Sequence, residues 1–241
     1  MLRKLAKQTL SNTMRLLPLD SLLLLSQRIS SLISSLLFLR DWHLQASGRP
    51  QFFKHEINLS RWRFEPARWA FAARGVYARE GMFEGCSVLD LSCGDGSTSY
   101  LFFSDIAGHI DAVDNDDIAL EYARRFHSRP SISYHKIDIV NQALPEGRYD
   151  FVIWNAAICY FSDEEIKSIL RKIAVVGKAS MVFSGMLPGA SGYVDHKTEF
   201  PDTESVKKLL ENYFGVVRTH EIAEASGRTF YFEASTPLSR R

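Results

Sequence analysis

The stretch Ser87-Val88-Leu89-Asp90-Leu91-Ser92-Cys93-Gly94-Asp95-Gly96 decides the reading of this chain. Val88, Leu89 and Leu91 form an apolar run of the length of a buried strand. The run breaks into an acid and small residues. Gly94 and Gly96 lack a Cβ, so the backbone there turns sharply and lets a ligand approach closely. Residues 97–107 resume an apolar pattern that predicts a helix. Strand, glycine turn and helix make the first half of a nucleotide-binding βαβ unit. The turn aims helix N-terminal amides at the bound group. A dinucleotide fingerprint needs G-x-G-x-x-G. Here Gly94-x-Gly96 is followed by Ser99 where that pattern needs its third glycine, so the match fails.

Three further segments follow in order. His109–Val113 reads as a second strand and ends in Asp114-Asn115-Asp116-Asp117. An acid at the end of the second strand, roughly 20 residues past the glycines, is where a ribose diol is gripped. Asp114 suits that role, with Asn115 beside it. Asp116 reads as the N-cap of a helix over Ile118–Phe126. A third strand, Ile132–Ile137, precedes Asp138-Ile139, and a fourth, Tyr149–Trp154, runs into Asn155-Ala156-Ala157-Ile158.

The register Asp90, Ser92, Gly94, Gly96 is acid-x-small-x-Gly-x-Gly. It resembles the first motif of the class I S-adenosylmethionine-dependent methyltransferases, with Ser92 standing where that family has a glycine. The resemblance covers about residues 65–235. It implies an α/β fold with a Rossmann-like, doubly wound sheet of seven strands, to which this chain adds an N-terminal helical arm. It also implies S-adenosylmethionine as cofactor, held by Asp90, Ser92, Gly94, Gly96, Asp114 and Asn115. By the same resemblance, Asp138 bonds the adenine amine and Ile139 packs on its ring. Asn155 lies where the family holds the methionine part of the cofactor and faces the acceptor. Family members that act on base or amide nitrogens often carry Pro-Pro and an aromatic after this position. Ala156-Ala157-Ile158 departs from that pattern and points away from base methylation.

Behind the fourth strand, Asp163 lies near the start of a helix to about Val175, whose core face is Ile166, Ile169, Leu170 and Ile173. A fifth strand spans Ser180–Ser184. The loop Gly185–Pro201 follows, then a helix capped by Thr203, then strands near Val216–Ile222 and Thr229–Ala234. Methyl transfer from a sulfonium needs alignment more than covalent help from the protein, but a hydroxyl acceptor benefits from a base. Tyr193, Asp195, His196 and Glu199 cluster in the loop. His196 is the candidate base because imidazole titrates near neutral pH, and Tyr193 is its catalytic companion. O-methylation of a small-molecule, sugar or lipid-linked acceptor is the favoured activity. The rival readings are a non-catalytic cofactor-binding scaffold at a membrane and another kind of adenine-nucleotide binder.

The chain has 241 residues and a net charge of +1. Residues 1–40 carry Arg3, Lys4, Lys7, Arg15, Arg28 and Arg40 against Asp20, a balance of +5 that leaves −4 for the rest. An acidic body argues against a nucleic-acid partner gripped along a basic channel. Cys86, Cys93 and Cys159 have neither disulfide nor metal spacing, and no metal is expected. That usage suits a reducing, cytoplasmic compartment. The expected organisation is an arm (1–50), a lid, linker and leading helix (51–84), the core (85–236) and a tail (237–241). In the arm, Leu22, Leu25, Ile29, Leu32, Leu36 and Leu39 share a helical face, interrupted too often for a membrane span. Three readings of it stand open: an anchor on an anionic membrane surface, a helical pair packing on the core or on a second subunit as a homodimer, and a targeting peptide. Residues 51–64 are dense in aromatic and basic side chains and read as a lid over the cofactor or as packing. Pro66 opens a helix to about Met82.

Overall fold

A computed structural model describes residues 24–26, 28–30, 32, 33, 66–190, 192, 195–224 and 227–238. The aromatic and basic segment 51–64, most of the arm and Tyr193 lie outside the described residues. These residues fall into two units, the arm and everything from Pro66 onward. In the arm, residues 24–26, 28–30, 32 and 33 are helical, and Leu24, Leu25, Ile29, Leu32 and Ile33 expose half or more of their surface. No helix among the described residues is long and apolar enough to cross a membrane.

The second unit opens with helix α1 (Pro66–Arg79) and strand β1 (Ser87–Leu91). Strand β2 (His109–Asp114), helix α2 (Asp117–Phe126) and strand β3 (Ile132–Lys136) follow. Strand β4 (Tyr149–Asn155), helix α3 (Asp163–Val176) and strand β5 (Gly177–Pro188) come next. Helix α4 (Thr203–Leu210) and strands β6 (Phe214–Glu224) and β7 (Gly227–Pro237) close the chain. The seven strands form one sheet in the order β3-β2-β1-β4-β5-β7-β6. β1 to β5 run parallel, whereas β7 lies antiparallel to both β5 and β6. The order reverses beside β1, which pairs with β2 on one side and β4 on the other. A ligand crevice opens at such a switch point, outside the carboxyl ends of the strands.

Local sequence sets the helix limits. Asp116 caps α2, its carboxylate accepting from the amides of Ile118 and Ala119 at 2.8 and 3.4 Å. Ser162, one residue before the expected start, caps α3: its Oγ accepts from Glu165 N, and Glu165 Oε2 accepts from Ser162 N at 2.7 Å. This reciprocal pair satisfies two otherwise orphaned donors. Asp202, not Thr203, caps α4, accepting from Ser205 N at 2.7 Å. The helix expected over 97–107 is shorter and wider. Residues Ser99–Phe103 are π-helical, with Ser104 N donating to Ser99 O five residues back at 2.9 Å. The wide turn puts Ser99 against Asp90 (2.6 Å) while Phe103 stays fully buried. β5 extends past Ser184 because Gly185–Pro188 pair with Thr229–Phe232 of β7.

The sheet separates two apolar clusters. Val88, Ile110, Phe151 and Ile153 pack with Ala78 of α1 and with Phe103. On the opposite face Leu89, Leu91, Val152, Trp154 and Phe183 pack with Ile166, Ile169, Leu170 and Ile173 of α3 and Val206 and Leu210 of α4. Each of these large side chains contributes about 1.5–3 kcal/mol by burial. Gly185 sits where β4, β5 and β7 meet. A Cβ there would lie 2.2 Å from Trp154 O and 2.7 Å from the Phe232 ring. Backbone in the middle of a sheet has nowhere to move, so Gly185→Ala should destabilise the fold by about 3 kcal/mol, the upper end for overpacking. Urea unfolding checks this; an unchanged midpoint refutes the contact.

Candidate active site

The site is built at the carboxyl ends of β1 and β2. After Leu91 the chain turns through Ser92, Gly94 and Gly96, with φ of 56°, 55° and 71°. Ser92 holds this left-handed conformation with a Cβ, at a cost of about 1–2 kcal/mol. A Cβ on Gly94 would meet nothing within 4 Å. Glycine is needed there for the turn, and the space beside it is open. Gly94 N donates to Asp114 Oδ2 at 2.8 Å, and Asp116 N donates to Asp114 Oδ1 at 2.9 Å. One carboxylate therefore ties the turn after β1 to the turn after β2. Burial pushes the Asp114 carboxyl above its usual range, opposed by these backbone donors. Each oxygen keeps lone-pair capacity, which fits a ribose diol lying against the open side of Gly94. Asn115, next in the chain, is exposed.

Asp90 alternates with Leu89 and Leu91 and so faces the α1 side of the sheet. It is 3 % exposed, and its Oδ2 accepts from Ser99 Oγ at 2.6 Å. Burial pushes its carboxyl up to about 7; Asp114 adds to the rise, while the Ser99 bond and the Arg74 charge pull it down.

Asp138 caps its own turn. Its Oδ1 accepts from Val140 N (2.9 Å) and Asn141 N (3.3 Å), and its Oδ2 from Asn141 Nδ2 (2.7 Å). The Asn141 side chain, first among these contacts, holds the carboxyl below its ordinary range. Ile139 is 4 % exposed, within the cluster that holds Leu91, Val113 and Trp154. Lys172 of α3, which no motif marked, donates to the carbonyls of Ile139, Val140 and Gln142 at 2.7–2.8 Å and clamps this loop.

β4 leaves the sheet through Asn155 and Ala156, the latter at φ 57° with its N–H on Met186 O at 2.7 Å. Asn155 faces the α1 side, as does Ser184 of β5, which pairs with Ile153. The buried amide atoms of Asn155 and the Oγ of Ser184 have no hydrogen-bond partner among the described residues. Buried polar groups are normally satisfied, so these atoms retain unused hydrogen-bonding capacity at the carboxyl end of β4. Ser184 escaped the sequence reading because a serine within a strand belongs to no pattern.

His196 is brought to the exit of β4. Lys197 N and Thr198 N donate to Cys159 O at 2.8 and 3.2 Å, fastening its loop to the turn Ile158–Tyr160. The His196 side chain is 4 % exposed, with Nδ1 3.8 Å from Glu199 Oε1. Its ring stands edge-on to Tyr160 at 5.2 Å. Glu199 Oε1 also accepts from Gly192 N at 2.6 Å. Among the described residues no group of three His, Cys, Asp or Glu is placed to hold a metal ion.

The Asp90 carboxyl gives a pH signature. Its usual value is 3.8 and its folded value about 7. Between these the folded protein binds more protons than the unfolded chain, so this group's contribution favours folding at low pH and is lost as pH rises through about 7. Asp90→Asn should flatten the difference in unfolding free energy between pH 4 and pH 7 relative to the parent. Identical pH profiles for the two proteins would refute the shift.

Residues 88–179 match the model of the methyltransferase domain family. No curated protein matches the sequence. Three solved structures share the fold. DhpI in complex with SAH is 15 % identical over 75 % of this chain and 96 % of its own, with TM-score 0.57. The N-methyltransferase NodS from Bradyrhizobium japonicum, also with S-adenosyl-L-homocysteine, is 13 % identical over 74 % of this chain and 91 % of its own, with TM-score 0.60. A protein from Bordetella parapertussis described as a possible exported protein is 16 % identical over 81 % of this chain and 78 % of its own, with TM-score 0.60. Family match and sheet order agree: residues 88–179 match a methyltransferase domain, and the fold is the one these solved structures share.

Proposed function

We propose that the chain methylates a hydroxyl oxygen of a small-molecule, sugar or lipid-linked acceptor. The observation that carries the cofactor site is the Asp114 carboxylate, tied to Gly94 N at 2.8 Å beside the open face of that glycine. In this reading Asp114 and Asn115 hold the ribose, Asp138 the adenine amine and Ile139 the ring. Asp90, Ser92, Gly94 and Gly96 shape the turn, and Asn155 meets the methionine part. When bound, S-adenosylmethionine supplies a methyl group already activated on sulfonium. The protein then has to align an acceptor, exclude water and remove one proton. His196 takes that proton from the acceptor hydroxyl, and Glu199, 3.8 Å from its Nδ1, stabilises the positive ring that results. Tyr193 belongs to the same loop. Asn155 and Ser184 offer uncharged donors and acceptors, which suit hydroxyl groups.

The arm supports a peripheral, cytoplasmic-face reading. Exposed Leu24, Leu25, Ile29, Leu32 and Ile33 lie in a segment whose balance is +5, the combination that favours an anionic lipid surface. Full-length protein should float with vesicles containing phosphatidylglycerol and stay behind with neutral ones. Equal recovery with both would remove the lipid surface from the proposal.

Calorimetry with S-adenosylhomocysteine, combined with turnover assays on glycan and lipid fractions, tests the activity. Asp114→Ala should weaken binding at least tenfold, about 1.4 kcal/mol. His196→Ala should keep that affinity and lose roughly 100-fold in turnover, the low end for a general base. Full turnover in His196→Ala removes the base. Tight binding with no methyl transfer to any fraction would instead support a cofactor-binding scaffold at a membrane.

A further inference from the structure

We propose that His127 and Tyr134 are positioning residues for the cofactor turn, locking the peptide between Asp95 and Gly96 in one orientation. The proposal rests on the reading of that turn as the cofactor site. His127 ends α2, its N–H donating to Ala123 O at 2.8 Å, so a helix terminus places its ring. His127 Nδ1 lies 2.6 Å from Asp95 O. A carbonyl only accepts, so Nδ1 carries the hydrogen, as it does in both the neutral Nδ1–H tautomer and the charged ring. Tyr134, in β3, donates its hydroxyl to His127 O at 2.8 Å. Its ring and hydroxyl fill the place a Gly96 side chain would take, 2.3 to 2.7 Å from the site of the missing Cβ. Gly96, Tyr134, His127 and Asp95 thus close a ring of contacts through three separate parts of the chain.

The lock has a purpose because the glycine after this peptide permits a second orientation of it. Turning the Asp95–Gly96 peptide over changes ψ of Asp95 and φ of Gly96 together, and glycine tolerates both values of φ. In the observed state Gly96 N donates to Cys93 O at 3.0 Å, while the Asp95 side chain accepts from Ser97 N and Ser97 Oγ at 3.1 and 2.6 Å. A flip turns Gly96 N away from Cys93 and re-aims the amides beside Gly94. The His127 bond opposes that flip without touching the ligand side. Tyr100, one turn further on, has its ring 5.3 Å from the His127 ring, and the Arg129 guanidinium stands over the Tyr100 ring at 4.7 Å.

The test uses the full-length protein and S-adenosylhomocysteine as probe. His127→Ala should weaken binding roughly tenfold, the effect of one charge-capable hydrogen bond. His127→Asn, whose amide nitrogen reaches where Nδ1 stood, should restore affinity to within about threefold of the parent. Amide hydrogen exchange without ligand gives a second readout: Gly96 and Ser97 should exchange roughly tenfold faster in His127→Ala than in His127→Asn. Tyr134→Phe keeps the ring under Gly96 and should show a smaller effect of the same kind. Equal losses in the alanine and asparagine variants, or unchanged exchange at Gly96, overturn the proposal. If the parent itself fails to bind the probe, the cofactor reading falls, and the exchange comparison alone decides the lock.

Discussion

One carboxylate closes the architecture at its functional end. β1 and β2 are parallel neighbours buried on both faces, and where they stop the backbone donors of Gly94 and Asp116 have no strand to bond. Asp114 accepts from both, at 2.8 and 2.9 Å. Buried donors without acceptors cost about as much as lost hydrogen bonds, so this residue is structural before it is anything else. The same position, at the end of the second strand and beside an open glycine, is the one the proposed ribose contact requires. In the proposed reading, stability and ribose binding use the same oxygens through different lone pairs.

The two faces of the sheet divide the labour. Toward α3 and α4 the interior is largely apolar, with Trp154, Phe183, Phe230 and Phe232 fully buried, and the buried Asp111 beside Leu89 accepts from the Tyr149 hydroxyl at 2.7 Å. Toward α1 the carboxyl ends carry Asp90, Asn155 and Ser184 instead. Burying such groups costs free energy unless they are satisfied. Asp90 has Ser99 as a partner, and the π-helical turn that brings Ser99 there departs from regular helix to do so. Asn155 and Ser184 have none among the described residues. Polar groups concentrated on one face, at the switch point of the sheet, are the cost of a site rather than of a fold.

The turn illustrates how remote parts of the chain share one conformation. Its two glycines permit the shape but do not select it. Selection comes from Asp114 above β2, from His127 at the end of α2 and from Tyr134 within β3. The proposed acceptor side is assembled likewise: the loop that holds His196 is fastened to Cys159 O and by Thr198 Oγ1 to Asp163 Oδ1 at 3.0 Å.

Much of this was legible in the residues. The run from Ser87 to Gly96, the acid after β2 and the periodicity of Ile166, Ile169, Leu170 and Ile173 are local signals, because strand alternation, helix period and glycine turns act over a few residues. They placed seven strands along the chain, the last two near Val216–Ile222 and Thr229–Ala234, and the family resemblance supplied the sheet that joins them. The cap of α4 moved by one residue, from Thr203 to Asp202, since capping depends on which side chain reaches the free amides. Four features needed the folded chain: the extension of β5 onto β7, the π-helical turn at Ser99, the unpartnered Ser184 and the His127 bond to Asp95. The bonds and pairings among them join residues from 5 to 47 positions apart, and Ser184 is set apart by burial. No local pattern encodes such partners, so only the tertiary structure decides them.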